Sequence, residues 1–215
     1  MRRRRALIVG VATVAWLKLT ALVAWSGVLR RFETTPPPFM VLMVAIVAIG
    51  VGVSFSPLGT LLMRGLPLWA LVGSQVFRLP LELLMHRAYL AGLMPVQMSY
   101  SGRNLDIVSG ITAGALALWL TRRETPRWVV VAWNLLGSIL LVNIVTVAIL
   151  STPRFAWYGR DRLNLFVTHP PYVWLPAVLV MAALIGHILV WRRLLMSRTL
   201  LVAAVFRDPK RADKG

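Results

Sequence analysis

Gln75, Arg78, Glu82, His86 and Tyr89 follow one another at spacings of three, four, four and three residues. At roughly 100° per residue they fall within an arc of about 80° on a helix, so they form one polar stripe. A carboxylate, an imidazole and a guanidinium on one face are the groups of acid–base work and anion clamping. Glu82 and His86 are the acid and base candidates and Arg78 is the clamp. The same groups also suit a self-satisfying ladder, with Arg78 pairing to Glu82 at i, i+4 and His86 bonding to Glu82 or to an Asn of another segment. Spacing alone leaves both readings open.

Further residues belong to the same chemistry. Lys18 lies about 17 Å by helical rise from either end of its apolar run, beyond the reach of a snorkelling side chain. It is expected on the wall of the cavity that the stripe faces, as a second clamp. Arg103, Asn104 and Asp106 lead into an apolar run and could cap that cavity; Asn104 also suits a helix N-cap, and Asp106 the first turn beside it. Glu82 is read as the sole acid deep inside a span, so Glu82→Gln is expected to be more damaging than Asp106→Asn. A weak metal possibility joins Glu82, His86 and Asp106 to His169, although no dense ligand motif is present. Haem is disfavoured by depth, because His86 and His187 are separated by some 20 Å along the membrane normal. His187 is assigned an interfacial or hydrogen-bonding place near Trp191 and Arg192. Asn134 and Asn143 face opposite sides of their helix, so at most one meets the stripe. Gly110 and Gly114 make a small-residue face for helix packing. No cofactor is identified.

These residues must be held by elements whose solvent is lipid. Apolar residues are 58% of the 215 and charged residues 14%, a balance outside the range of soluble domains. Apolar runs long enough to cross a hydrocarbon core of about 30 Å recur along the chain. The expected fold is all-α, a polytopic transmembrane bundle of six spans: Ala6 to Leu29, Phe39 to about Ser56, about Leu68 to Met94 with a kink at Pro80, about Asp106 to Leu120, Trp128 to Leu150, and Tyr172 to Trp191. Pro57, Gly59, Gly65 and Pro67 mark a loop or shallow re-entrant turn between the second and third. Residues 1–191 make the bundle and 192–215 a basic cytoplasmic tail, partly interfacial, in which Arg207, Lys210, Arg211 and Lys214 attract anionic lipid.

The net charge of +17 sits in clusters flanking apolar runs, which is the placement of topology determinants and not of a nucleic-acid face. Alternate loops hold fifteen and six Lys and Arg, an asymmetry that puts both ends inside. Cysteine is absent, which excludes disulfides and thiolate chemistry. The basic start and apolar run imitate a signal peptide, but the run is long and lacks a small-residue cleavage site, so it is read as a retained span.

The expectation is a multi-pass inner-membrane protein of bacterial type. Its polar cavity, open toward the outer face, binds and could transform an anionic or lipid-like small molecule. A proton-coupled transporter and an accessory subunit of a larger complex, or a homo-oligomer, are the rivals. Reporter fusions after Arg123 and after Lys210 should read cytoplasmic and one near Arg160 external; an external carboxyl terminus would overturn the six-span topology.

Overall fold

The computed structural model describes the chain from Arg2 to Arg207, with side chains described for Arg4 and residues 7–196. It is helical, with no strand among the described residues. The helices are α1 (Arg2–Trp25), α2 (Pro38–Phe55), α3 (Pro57–Gly65), α4 (Leu68–Gly73), α5 (Arg78–Leu90), α6 (Asp106–Arg122), α7 (Arg127–Leu150) and α8 (Met181–Arg207). A 3-10 segment, Ser74–Phe77, joins α4 to α5, and a π-helical segment, Leu175–Val180, leads into α8. Five helical stretches are long and apolar enough to cross a membrane: Leu7–Trp25, Pro38–Phe55, Leu68–Leu90, Arg127–Leu150 and Leu175–Met196. The chain is therefore read as membrane-embedded. At 17 residues, α6 is slightly shorter than these five stretches, which have 18 to 24.

Local chemistry sets the element ends. Residues 57–65 form a helix where a loop or re-entrant turn was expected. Ser56 accepts from the Gly59 amide at 3.3 Å and Pro57 occupies the first helical position, so the same Pro and Gly that suggest a break here start and end a helix. The third span stops at Leu90 and not at Met94. Gly92 has φ +70°, with Leu93 N–H bonded to Ala88 O and Gly92 N–H to Tyr89 O, the left-handed termination that favours glycine. Pro80 lacks the amide that would reach the Val76 carbonyl, and the chain tightens to 3-10 geometry over the residues just before it.

Helix α8 is central, packing against α2, α3, α4 and α7, while α6 fills the space between the third span and α7. Two arginines fasten one end of the bundle. Arg192 donates to the carbonyl of Ser54 and to Thr60 Oγ1, and Arg193 donates to the Met63 carbonyl at 2.8 Å, so basic residues read as topology determinants also satisfy carbonyls near helix ends. Helix α8 runs without a break past Trp191. The basic residues Lys210, Arg211 and Lys214 lie outside the described residues. Helix α1 is peripheral. Trp16 Nε1 donates to the Ala177 carbonyl and Trp174 Nε1 to that of Leu17, while most of its surface is exposed.

Helices α5 and α6 approach closely because residue 110 has no side chain. A Cβ there would stand 2.5 Å from Leu79 N and 3.0 Å from Leu79 Cα, whereas at Gly114 the nearest atom, Val76 Cγ2, is 3.6 Å away. Gly110→Ala should therefore cost about 1–3 kcal/mol by overpacking against rigid backbone, and Gly114→Ala should be tolerated. Thermal unfolding of the two variants in detergent distinguishes them, and equal melting would show that the approach at Gly110 is not constrained.

Candidate functional site

Arg78 opens α5 at the end of the tightened segment and is only 2% exposed. Its Nη1 donates to Ser109 Oγ at 2.9 Å and to His187 Nε2 at 3.2 Å, and its Nη2 lies 3.2 Å from Asp106 Oδ2. A guanidinium has no lone pair to offer, so His187 Nε2 must accept and the imidazole proton sits on Nδ1. That nitrogen then donates to Asn134 Oδ1 at 2.8 Å, and Asn134 Nδ2 donates to the His187 carbonyl at 3.1 Å. One helix turn on from Arg78, the Glu82 oxygens each accept from Asn104 Nδ2 at 2.8 Å. Asn104 Oδ1 accepts the Asp106 amide at 3.1 Å, so one side chain both starts α6 and holds Glu82.

Glycines make room for this network. A Cβ at Gly137 would collide with the His187 ring and stand 2.9 Å from Ser109 Oγ, and one at Gly186 would collide with the Gln75 amide. The network thus ties α5, α6, α7 and α8 at one depth. Ser109, Asn134 and His187 are functional candidates that the stripe did not reveal. The available signal was a glycine beside a polar residue on each facing helix, Gly186 next to His187 and Gly137 one turn from Asn134.

Arg78, Glu82, Asn104 and Asp106 line one end of a narrow cavity whose remaining walls are apolar, including Met43, Leu141, Ile144 and Leu179. About 60 Å³ of it is wide enough for the centre of a water-sized sphere. That is room for a few waters, at roughly 10–15 Å³ each, or for one slim chain. Asp106, 6% exposed, has no hydrogen-bond partner at Oδ1.

Several expected site residues lie elsewhere. Lys18 is exposed on α1, in a shallow groove with Gly10, Val14 and Ala15, because α1 packs at the edge of the bundle and turns only its Trp16 and Thr20 side inward. His86 continues the stripe but stands nearer the loops. It stacks on Tyr100 at 4.3 Å between centroids, meets Ser101 Oγ at 3.2 Å and lies 5.9 Å from Tyr89. The structure therefore does not bring Glu82 and His86 together as an acid–base pair. Arg103 lies over the Tyr158 ring at 5.5 Å, and its carbonyl accepts from Asn143. Gln75 is buried against Gly186 and does not line the cavity. His169 bonds within its own turn, to Thr168 and the Leu165 carbonyl. Among the described residues no group of three or more His, Asp and Glu could hold a metal ion. His187 sits inside the bundle, not at the interface, and Glu82 is not the only buried acid. Compared with family models, curated proteins and solved structures, the chain has no match.

Charge balance orders the consequences of mutation differently from the sequence. Asp106 neutralises Arg78 directly, and removing one partner of a buried pair costs about 3–5 kcal/mol because the other charge stays buried. Asp106→Ala should therefore destabilise the protein more than Glu82→Gln, which keeps an acceptor for Asn104. The double variant Arg78→Met, Asp106→Leu should recover most of that loss. Thermal unfolding in detergent measures all three, and a harmless Asp106→Ala would show that the pair does not hold the bundle.

Proposed function

We propose that this is a six-span inner-membrane protein, with both termini cytoplasmic, that binds a lipid-like small molecule in the cavity beside Arg78, Glu82, Asn104 and Asp106. The observation that carries this reading is an intramembrane cavity with apolar walls and a charged end where one buried carboxylate oxygen is unpaired. Unpaired buried acceptors are costly and uncommon, and an amphiphile whose head reaches them while its chain lies on the walls offsets that cost. The sixth span is α6, whose 17 residues rise about 25 Å. The excess of Lys and Arg on alternate loops supports the orientation.

The charges argue against the anionic half of the earlier expectation. With Lys18 elsewhere, two carboxylates face one guanidinium, whose Nη1 is engaged by Ser109 and His187 and whose Nη2 is paired in charge with Asp106. A proton-coupled carrier has less support, because the side of the bundle away from this cavity is filled by a packed apolar cluster around Val72, Ala113, Trp133 and Val190, and a carrier needs a second opening. An accessory role in a larger complex is favoured by one observation, the exposed Lys18 in the middle of a membrane-spanning helix. A charge there calls for a partner helix, and Lys18→Leu would then weaken co-purification of that partner.

Native mass spectrometry of the purified full chain should show a bound amphiphile, and Ala148→Phe, which fills the wall, should remove it while the protein stays folded. A wild-type chain without any adduct, and without thermal stabilisation by any added single-chain amphiphile, would overturn the reading.

A further inference from the structure

The cavity is closed on the membrane side by very little. Helices α2 and α7 each pack on α8 but share no extended contact with one another. They meet where Val145 rests against the cluster of Phe39, Met43 and Ile46. Met43 and Val145 line the charged cavity and also border a groove on the outer surface of the bundle with Val44, Val47, Ala48 and Ile149. Met43 and Val145 therefore stand between the cavity and the lipid-facing groove. Methionine is unbranched and changes rotamer easily, so a seam built on Met43 opens without moving a helix. Val44 is 69% and Val47 42% exposed, so the groove faces lipid. On the loop side the cavity is roofed by Met98 and Val167, both buried.

The polar end also restricts the head group. Arg78 spends Nη1 on Ser109 and His187, and its Nη2 is paired in charge, though not hydrogen-bonded, with Asp106 Oδ2 at 3.2 Å, whereas Asp106 Oδ1 accepts nothing. The carboxylates of Asp106 and Glu82 outnumber the one guanidinium, so the free Asp106 Oδ1 is the atom that a donor would meet, and the narrow volume admits only a small head. We propose that the cavity takes a single-chain amphiphile whose small head donates hydrogen bonds, and that the molecule loads sideways from the bilayer through the Met43–Val145 seam. This rests on the reading of the cavity as a lipid-like site and adds the class of head group and the route.

The chain has no cysteine, which makes the seam directly testable. In nanodiscs, full-length protein would be exposed to hexadecanol, hexadecylamine and hexadecyl methyl ether, each with a photoreactive diazirine in the chain, and labelled residues mapped by mass spectrometry. The alcohol or the amine should label Leu141, Ile144 or Leu179 about tenfold more than the ether, which lacks a donor. Which of the two dominates identifies the head as a hydroxyl or an ammonium. Bridging Met43→Cys and Val145→Cys with a reducible thiol crosslinker should abolish that labelling, and reduction should restore it. If the paired variant does not fold, Val145→Trp, which fills the seam, should slow labelling in the same way. Ether labelling equal to the alcohol, or labelling unchanged by closing the seam, overturns the inference. So does absence of cavity labelling by all three probes. A bound amphiphile in native mass spectra alongside any of those results would leave the broader binding reading standing, and only absence of any adduct or stabilisation removes that reading as well.

Discussion

A guanidinium cannot be deprotonated at any ordinary pH, and at membrane depth it costs several kilocalories per mole unless its charge and donors are met inside the protein. Arg78 imposes that requirement on the whole bundle. Its hydroxyl partner comes from α6, its imidazole partner from α8 and its counter-ion from the first turn of α6. Helix α7 joins through Asn134, which accepts from His187 Nδ1 and donates to the His187 carbonyl. Four helices are thereby held in one rotational setting and one vertical register. An apolar interface in lipid specifies neither well, since lipid tails are as apolar as the side chains they meet.

Close approach is the second condition, and glycine supplies it. The polar side chains of the network are long, and a helix carrying one fits against its neighbour only where the neighbour has no Cβ. Gly137 leaves room for His187, Gly186 for Gln75, and Gly110 lets the α5 backbone come to contact distance. Polar glue and small-residue packing are therefore one device here, because removing a glycine displaces the polar group it faces.

The network leaves Gln75 Oε1 unpaired on its bundle side and Asp106 Oδ1 unpaired on its cavity side. Ser109, His187 and Asn134 tie it to α6, α7 and α8, while Glu82 and Asp106 border the apolar slot. An unpaired carboxylate oxygen is the costliest kind of unmet acceptor, because the group is charged. The thin contact between α2 and α7 lies beside the slot, since Met43 and Val145 line it. Elsewhere the loops are tightly fastened. Gln97 donates to Ser151 Oγ and to the Arg162 carbonyl, and Asn164 donates to the Ala148 carbonyl.

From the sequence alone, hydropathy and length determined that the chain is helical and membrane-embedded, because every backbone group in lipid must be bonded within its own segment. The 3–4–4–3 spacing determined that Arg78 and Glu82 share an inward face, and the Asn104–Leu105–Asp106 run marked the start of α6. Tertiary structure decided everything that depended on depth and partners. Periodicity gives an angle around a helix and the rise per residue a height along it, but neither says where the packed bundle gives way to loops, so Arg78 and Glu82 in the bundle could not be separated from His86 and Tyr89 beside the loops. Periodicity also says nothing about which helices become neighbours. Lys18 was assigned to the cavity on the cost of burying a charge, but α1 packs at the edge and leaves it exposed. Nearness to Trp191 and Arg192 left His187 either interfacial or hydrogen-bonded; α8 continues past them, Arg192 and Arg193 bond to α2 and α3, and His187 lies deep in the hydrogen-bonded place. Asp106 read equally well as a first-turn acid because its role depends on a guanidinium 28 positions earlier in the chain, and only the packing of α5 on α6 brings the two within 3.2 Å.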